Sequence, residues 1–447
     1  MNDRRSICSE DKRRKIRESK KKTLHKRANQ VVRCFELKIK TKRLSKIQKE
    51  QLAKIFLEAK RFYNHVLNIK RSEDIPLRLI NPTHIKSVKH FDKNKDELES
   101  QLTVLSSQQK QAIIARMISN EKAIHSLIKG GYQKFGALRF KSEVNCIPLK
   151  QYGNAYKFKD DHKVKIQGIS KCLFIYGTEQ FWKYNCDYAN ANLLRKPDGY
   201  YVKVTCYIDK SKINLPKSNG QELGIDFGCK NNLTFSDGTK LNCQIEESDR
   251  LKKLQTKLNR RQKTRSNNRN KTINKIRREY QKATNKKHEF ANQLHHKLKL
   301  YDLIVIQDEQ LSNWQKTYRN GKKIQHSCLG LIKSKLISSP NVVVLDRFIP
   351  TTKFCSNCGK IENGLKLSDR EFTCSECGII DDRDIHAAKN MLNIFHLVAN
   401  HLNEQKLLPS ERGKVKFAEF KTAIDGKVFP DVSQNDEARR YQVFSLV

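Results

Sequence analysis

Residues 223–228 read Leu-Gly-Ile-Asp-Phe-Gly, an apolar segment that holds a single carboxylate, Asp226, flanked by small residues. A second apolar run, Leu233-Thr234-Phe235, follows shortly after, and Asp237-Gly238 then marks a turn. Short apolar runs bounded by turn residues are typical of buried strands. The segment therefore predicts the first strands of a sheet. Asp226 needs a partner there, because burying an unpaired carboxylate is costly.

Two further carboxylates stand at the ends of predicted elements. Glu309 follows the apolar run Leu303-Ile304-Val305-Ile306, and Asp384 lies where a helix is predicted to begin. Taken singly, the three acids have ordinary interpretations as a turn residue, an exposed strand end and a helix N-cap. Taken together, they predict one acidic site on a basic chain. A pair of Mg²⁺ ions about 3.5–4 Å apart, acting on a phosphodiester, suits such a site.

Four cysteines form the strongest single motif. Cys355 and Cys358 are separated by two residues, as are Cys374 and Cys377, and glycine follows each pair at 359 and 378. Two thiolates on a tight turn can reach one ion at about 2.3 Å, and four complete a tetrahedral zinc site. Glycine after each pair permits the turn. A closed site of four thiolates has no open position for a substrate, so the predicted Zn²⁺ is structural.

The composition points to a polyanionic partner. The chain has 447 residues, with 90 Lys plus Arg against 47 Asp plus Glu, a net charge of +43. A charge of this size disfavours a compact monomer unless a polyanion offsets it, and nucleic acid is the best candidate. No apolar run approaches the roughly 20 residues of a membrane span, which excludes a transmembrane protein. The charged N-terminus lacks the apolar stretch of a secretory signal.

The remaining cysteines indicate a reducing compartment. The chain has 13 cysteines, an odd number, and nine of them are scattered outside the four-cysteine motif. A secreted disulfide scaffold is therefore disfavoured.

Residues 251–300 are predicted to be helical and strongly basic. They contain 17 Lys plus Arg against two Glu, a charge of +15. An ordinary solvated helix face would mix both signs. The better interpretation is a helix pair along a phosphate backbone, with Arg260, Arg261 and Lys263 as candidate nucleic-acid-binding residues.

The N-terminal half predicts a β-barrel with inserted helices. Residues 1–32 are basic and are expected to form a flexible arm, either solvated or phosphate-binding. A strand over 31–40 precedes a helix whose N-terminus Ser45 and Gln48 would cap. Gly130-Gly131 would end a second helix, and Pro197-Asp198-Gly199 would form a hairpin turn. Residues 401–447 predict no particular fold.

The order of these motifs resembles the TnpB (OrfB) proteins of bacterial insertion sequences. These proteins are RNA-guided DNA nucleases related to the type V CRISPR effectors. The resemblance rests on Gly-Ile-Asp-Phe-Gly, the basic helices, the strand before Glu309, the four cysteines and Asp-Arg-Asp-Ile-His-Ala-Ala at 382–388. Phe62-Tyr63-Asn64 and residues 136–142, Gly-Ala-Leu-Arg-Phe-Lys-Ser, are similar to further family segments. The resemblance as a whole covers roughly residues 33–398.

The resemblance implies a multidomain α/β protein with a β-barrel. Its parts are an RNase H-like (RuvC) nuclease domain with an inserted four-cysteine, zinc-ribbon-like element, and an N-terminal oligonucleotide-binding β-barrel with a helical insertion. The implied boundaries are 1–32 for the basic arm, 33–45 and 136–219 for the barrel (a wedge-like domain), 46–135 for a helical recognition domain, 220–400 for the nuclease with basic helices 248–300 and zinc element 353–380, and 401–447 for the tail.

The resemblance also assigns roles to the carboxylates. The RuvC-like catalytic acids and Mg²⁺ ligands fall on Asp226, Glu309 and Asp384. The second acid of the family follows its strand directly, so Asp308 is an alternative, but Leu311 two residues after Glu309 favours Glu309. His386 replaces a usual Asn, which predicts altered hydrogen bonding around Asp384.

The implied function is RNA-guided DNA endonuclease activity by two-metal-ion hydrolysis, encoded by a transposable element. The partners would be a guide RNA from the protein's own locus and double-stranded target DNA, and the location a prokaryotic cytoplasm, or the nucleus of a eukaryotic host. A DNA-binding regulator without cleavage activity is the alternative, although a regulator does not need the three carboxylates. A strand-transferring transposase is disfavoured, because no His-x-His plus tyrosine signature is found.

Overall fold

The computed structural model describes residues 3–91, 96–131, 136–160, 162–213, 218–260, 266–318, 320–366, 368–404 and 413–425. The chain divides into two compact units, Met1–Asn214 and Leu215–Val447. Each unit has its own main sheet and its own hydrophobic core. Among the described residues, no helix has both the length and the apolar character required to cross a membrane.

The first unit contains both helices and strands. Its elements are α1 (Asp3–Ala28), β1 (Gln30–Ile39), α2 (Lys46–Ser72), β2 (Ser87–Phe91), β3 (Glu97–Gln101), α3 (Ser107–Lys129), β4 (Cys146–Leu149), β5 (Tyr156–Asp160), β6 (Lys163–Ile166), β7 (Leu173–Tyr176), α4 (Glu179–Trp182), β8 (Asp187–Lys196) and β9 (Gly199–Asp209).

Most of the basic N-terminal segment, expected to be a flexible arm over residues 1–32, forms the helix α1. Lysine, arginine and glutamate are good helix formers. Asp11 supports the helix by pairing with Arg14 at 2.6 Å and with Lys15 at 3.3 Å. The end of α1 is fastened to the sheet, since Arg27 lies 3.6 Å above the Tyr207 ring and 3.0 Å from Asp187.

Seven strands of the first unit form one antiparallel sheet that nearly closes into a barrel, as predicted. Their order is β4-β8-β9-β1-β7-β6-β5. The long strand β1 pairs with β9 over nine residues, from Gln30 opposite Asp209 to Lys38 opposite Tyr201. The predicted hairpin joins β8 to β9.

Two amphipathic helices share the core of this sheet. The predicted capping box of α2 is present, with Gln48 N donating to Ser45 Oγ and Ser45 N donating to Gln48 Oε1. Phe62 of α2 and Ile113 of α3 pack in the same core as Val204 of β9. The hairpin β2–β3 was not predicted from the sequence.

The second unit is built on a mixed sheet. Its elements are β10 (Glu222–Phe227), β11 (Leu233–Phe235), β12 (Lys240–Leu241), α5 (Asp249–Asn259), α6 (Asn267–Leu298), β13 (Leu303–Gln307), α7 (Leu311–Lys316), α8 (Gly321–His326), α9 (Leu329–Ile337), β14 (Val342–Leu345), β15 (Glu371–Thr373), β16 (Ile380–Asp382), α10 (Arg383–Glu404), β17 (Lys414–Val415) and α11 (Phe417–Asp425).

The strand order of this sheet is β12-β11-β10-β13-β14-β17. The strands β10, β11 and β12 are antiparallel neighbours, whereas β10, β13, β14 and β17 run parallel. The parallel strands β10 and β13 therefore end at the same edge of the sheet. Part of the C-terminal tail, for which the sequence predicts no fold, adds β17 to this sheet and packs Phe420 of α11 into a core with Val398 of α10.

Candidate active site and metal centre

Asp226 lies near the end of β10, where its neighbours make ionisation unfavourable. The pKa of its carboxyl is raised to about 8, first by burial and then by the negative charges of Asp384 and Glu309. The three predicted acids therefore act on one another electrostatically, although they are separated by up to 158 positions in the chain, which follows from their numbers. Carboxylates whose negative charges act on one another in this way favour binding of a cation among them.

Asp384 is brought close to Asp226 by the approach of α10 to β10. A Cβ added at Gly224 would lie only 1.9 Å from the carbonyl oxygen of Ala388 in α10. Only glycine can occupy this strand position without displacing the helix. The first turn of α10 then presents Asp384, whose Oδ2 accepts a hydrogen bond from Asn231 Nδ2 at 3.2 Å.

The turn after β10 supports this arrangement, and its residues were not singled out from the sequence. Asn232 is fully buried, and its Oδ1 accepts a hydrogen bond from Cys243 N at 2.9 Å. Gly228 N donates to Asn232 O at 3.2 Å, which closes the turn. Asparagine is common in turns because its side chain bonds nearby backbone. In the sequence, the pair Asn231-Asn232 after the predicted strand was the feature that could have indicated this turn.

Glu309 and Asp308 differ in their partners. Burial raises the pKa of Glu309. Asp308 instead pairs with Lys333 at 2.8 Å and with Arg347 at 3.2 Å, and the hydrogen bond from Lys333 lowers its pKa. Lys333 Nζ also donates to the backbone carbonyl of Glu309 at 2.6 Å. Asp308 is thus engaged in ion pairs, whereas the charge of Glu309 acts on Asp226.

The four predicted zinc ligands are brought together. In the part of the chain that the structure describes, Cys355, Cys358, Cys374 and Cys377 are the group whose ligand atoms all lie within 4.8 Å of one another. The three carboxylates are spaced more widely than that limit. A four-cysteine cluster of this kind can bind a metal such as zinc.

Both cysteine pairs sit on matching turns. Gly359 N donates to Cys355 O at 2.8 Å, and Gly378 N donates to Cys374 O at 3.0 Å. The two glycines have φ of +80° and +69°, a left-handed conformation that glycine adopts without strain. Burial raises the pKa of the Cys355 and Cys358 thiols, so a cation is needed to hold these sulfurs as thiolates.

His386 connects the cysteine element to α10, and the predicted change in hydrogen bonding around Asp384 stays a prediction. Its Nε2 donates to Phe354 O at 2.9 Å, and its ring stacks on Phe372 with centroids 3.8 Å apart. Asn390, one turn further along α10, donates to Phe354 O at 2.6 Å. The segment before Cys355 is therefore tied to the helix that carries Asp384.

The predicted basic helices are present as α5 and α6. Arg260 caps α5 and is exposed, as are Lys271 and Lys275 of α6. The other two candidate nucleic-acid-binding residues, Arg261 and Lys263, lie outside the described residues.

Two family models match the second half of the chain. The model described as "Probable transposase" (OrfB_IS605) matches residues 205–316, and the model described as "Cas12f1-like, TNB domain" matches residues 333–391. The first contains Asp226 and Glu309, and the second contains the four cysteines and Asp384. The predicted resemblance to TnpB (OrfB) proteins is confirmed over these segments.

Curated relatives point the same way. A "Putative RNA-guided DNA endonuclease" of Streptomyces pristinaespiralis is 33% identical over 202 residues, which cover 43% of this chain and 49% of that protein. "TnpB-like protein L79" of Acanthamoeba polyphaga mimivirus is 29% identical over 218 residues, which cover 44% of this chain and 41% of that protein. The matched part thus spans about half the length of these relatives or less.

A solved structure, described as "Cryo-EM structure of the Cas12f1-sgRNA-target DNA complex", aligns with 81% of this chain and 99% of its own. The TM-score is 0.45 and the sequence identity is 12%.

Proposed function

We propose that the protein is an RNA-guided DNA endonuclease whose RNase H-like (RuvC) domain spans about residues 220–400. The observation that carries this proposal is the convergence of three carboxylates: α10, which begins at Asp384, approaches β10 so closely that a Cβ at Gly224 would lie 1.9 Å from Ala388 O, and the charges of Asp384 and Glu309 both act on Asp226. Three carboxylates from β10, the end of β13 and the start of α10 suit a metal-dependent nuclease. The sheet order and the names of the two curated relatives support the same function.

Asp226, Glu309 and Asp384 would hold Mg²⁺. Bound there, two such ions supply activation of the attacking water and stabilisation of the leaving oxygen. The protein's own groups prepare the site: Asn231 orients the Asp384 carboxylate, and Lys333 and Arg347 keep Asp308 engaged. The residues fit this role, because burial raises the pKa of both Asp226 and Glu309, and the negative charges of Asp384 and Glu309 raise that of Asp226 further, so that a cation would stabilise the ionised carboxylates.

The four cysteines would hold a structural Zn²⁺. Four sulfur ligands fill a tetrahedral site, so this ion has no position for substrate. Its role is to fold the segment that His386 and Asn390 fasten to α10. A metal-ligand cluster thereby supports the helix that presents Asp384.

The nucleic-acid partners would be a guide RNA and double-stranded target DNA. Base pairing with the guide would select the target, while the protein would contact backbone and one short duplex motif. The barrel and the helices of the first unit would position the heteroduplex, and the basic helices α5 and α6 would hold phosphates.

The test is cleavage by protein purified with the RNA from its own locus, in Mg²⁺. Asp226→Asn, Glu309→Gln and Asp384→Asn should each reduce cleavage by at least about a thousandfold, because residues acting as a unit lose function together. Each variant should still shift target DNA in a gel. Asp308→Asn is the matched control and should retain most cleavage.

Two outcomes would contradict the proposal. If the unmutated protein binds its target but never cuts it, the protein is a DNA-binding regulator. If Asp308→Asn abolishes cleavage and Glu309→Gln does not, the second acid is Asp308.

A further inference from the structure

The outer face of the barrel carries a row of tyrosine and lysine side chains. Lys38 of β1 lies opposite Tyr201 of β9 on one side and opposite Tyr176 of β7 on the other. The flanking residues Leu37 and Ile39 are fully buried. Since side chains alternate along a strand, Lys38 and its two cross-strand partners point away from the core.

A second aromatic–basic row lies beside the first. Lys40 N donates to Phe174 O at 2.7 Å, and Phe174 lies opposite Lys163 of β6. Phe174 and Tyr176 are two residues apart on β7, so they share the outer face. The rows together run across four neighbouring strands.

Cations lie over the rings of this surface. Lys40 Nζ is 4.3 Å from the centroid of the Tyr176 ring, Lys196 Nζ is 4.7 Å from that of Tyr201, and the Arg43 guanidinium is 5.0 Å from that of Phe174. Such pairs stabilise a cation beside an aromatic face. Tyr176 nevertheless keeps 55% of its surface exposed.

The acids near these cations are distributed unevenly. Asp198 accepts from Lys38 Nζ at 2.7 Å and from the Tyr201 hydroxyl at 2.5 Å, while Lys163 pairs with Asp160 at 2.8 Å. Among the described residues, neither Lys40 nor Arg43 has a carboxylate within ion-pair distance. The end of the surface formed by Lys40, Arg43, Phe174 and Tyr176 therefore combines one exposed ring, Tyr176, and one half-buried ring, Phe174, with positive charge, and we name it the aromatic–basic platform.

We propose that the aromatic–basic platform binds single-stranded nucleic acid, with a base stacked on the exposed ring of Tyr176 and phosphates held by Lys40 and Arg43. Base–aromatic stacking is tolerant of sequence and contributes about 1–3 kcal/mol per base. A duplex keeps its base faces stacked inside the helix, so the exposed ring selects single strands. The strand's source rests on the proposed function: it is unpaired guide RNA or displaced target DNA.

The test measures binding of short single strands by full-length Asp226→Asn protein, which leaves the probe intact. The probes are a fluorescent 12-nucleotide RNA, its DNA equivalent, and the corresponding duplex, each with one 2-aminopurine. Tyr176→Ala should weaken single-strand binding by about tenfold and abolish the change in 2-aminopurine fluorescence, whereas Tyr176→Phe should behave like the parent. Phe91→Ala is the matched control, since Phe91 is also a largely exposed ring on a strand, at 72% exposure.

The salt dependence of binding tests the role of the charged residues. Lys40→Gln should make the slope of log affinity against log salt shallower by about 0.7, the value for one phosphate of a single strand. The RNA and DNA probes distinguish the two sources of the strand. The proposal would be overturned if Tyr176→Ala and Phe91→Ala weakened single-strand binding equally, or if the duplex bound as tightly as the single strands.

The platform and the nuclease can fail separately. Cleavage that proceeds normally while Tyr176→Ala leaves single-strand binding unchanged refutes the platform alone. Ring-dependent binding by a protein that never cleaves its target refutes the nuclease alone.

Discussion

Gly224 shows how a single residue prepares the candidate site. The backbone carbonyl of Ala388 lies where a side chain at 224 would begin. Glycine in a strand normally costs stability, because it has no side chain to pack. Here it allows the helix bearing Asp384 to approach the strand bearing Asp226. Glycine in the Gly-Ile-Asp motif is thus a packing requirement of the site.

Gly224→Ala should therefore displace α10 from β10. Overpacking of this kind typically costs about 1–3 kcal/mol, and the free energy of unfolding should fall by that amount. Mg²⁺-dependent cleavage should fall further, since Asp384 moves away from Asp226. Gly330→Ala is the control: a Cβ at 330, in the first turn of α9, would meet nothing within 4 Å, so this change should leave the free energy of unfolding unchanged or slightly raised. Equal stabilities for the two variants would refute the close approach.

His295 provides a residue-scale prediction of pH dependence. Its Nε2 lies 2.7 Å from Ser339 Oγ, and burial, followed by the charges of Lys299 and Lys335, lowers its pKa to about 4. The folded chain holds this imidazole neutral, whereas the unfolded chain protonates it below about 6.5. Its contribution to stability is present above pH 6.5 and is lost as the pH falls towards 4.

The measurement is the melting temperature between pH 7 and pH 4.5. The melting temperature of the parent protein should fall across this range, and His295→Gln should fall less steeply. Parallel curves for the two proteins would mean that His295 does not contribute to the acid sensitivity.

At the scale of elements, the cysteine cluster and α10 behave as one assembly. The first pair of cysteines follows Phe354, whose carbonyl accepts hydrogen bonds from His386 and Asn390 of α10. The second pair lies between β15 and β16, and α10 begins directly after β16. Loss of the metal should therefore disturb the helix that carries Asp384, although no cysteine belongs to the carboxylate site.

Cys374→Ser should remove the metal and lower the melting temperature, because the energy of metal binding is also folding energy. Elemental analysis should find one zinc per chain in the parent and less than about a tenth of that in the variant. Cys34→Ser is the control, since Cys34 is exposed and lies in the other unit. A parent protein that cleaves its target but contains no zinc would contradict the structural role.

The sequence predicted elements with strong local signals and missed those decided by tertiary contacts. The capping box of Ser45 and Gln48 and the turns after each cysteine pair are local, and both were found. The hairpin β2–β3 was missed because its strand over 97–101, Glu-Leu-Glu-Ser-Gln, is polar and largely exposed. The role of His386 depends on Phe354 and Phe372, which no sequence spacing brings together.

At the scale of the whole molecule, the net charge of +43 is the dominant property. It is unevenly distributed, with +15 in residues 251–300 alone. A phosphate backbone lying along α5 and α6 would release counterions as it binds, so its affinity would depend steeply on salt. Solvated lysines that touch no phosphate would add only a weak, long-range attraction, which salt screens within about 8–10 Å.

Neutralising three exposed cations on these helices distinguishes the two cases. The variant Arg260→Gln/Lys271→Gln/Lys275→Gln should weaken binding of target duplex evenly across sequences, and the slope of log affinity against log salt should become shallower by up to about 0.9 per lost phosphate contact. Lys414→Gln/Lys416→Gln/Lys421→Gln removes the same charge from other exposed positions of the same unit. This control should leave the slope nearly unchanged, because net charge alone displaces no condensed counterions. Equal slopes for the two triple variants would mean that α5 and α6 are merely solvated, and that the phosphate contacts lie elsewhere on the protein.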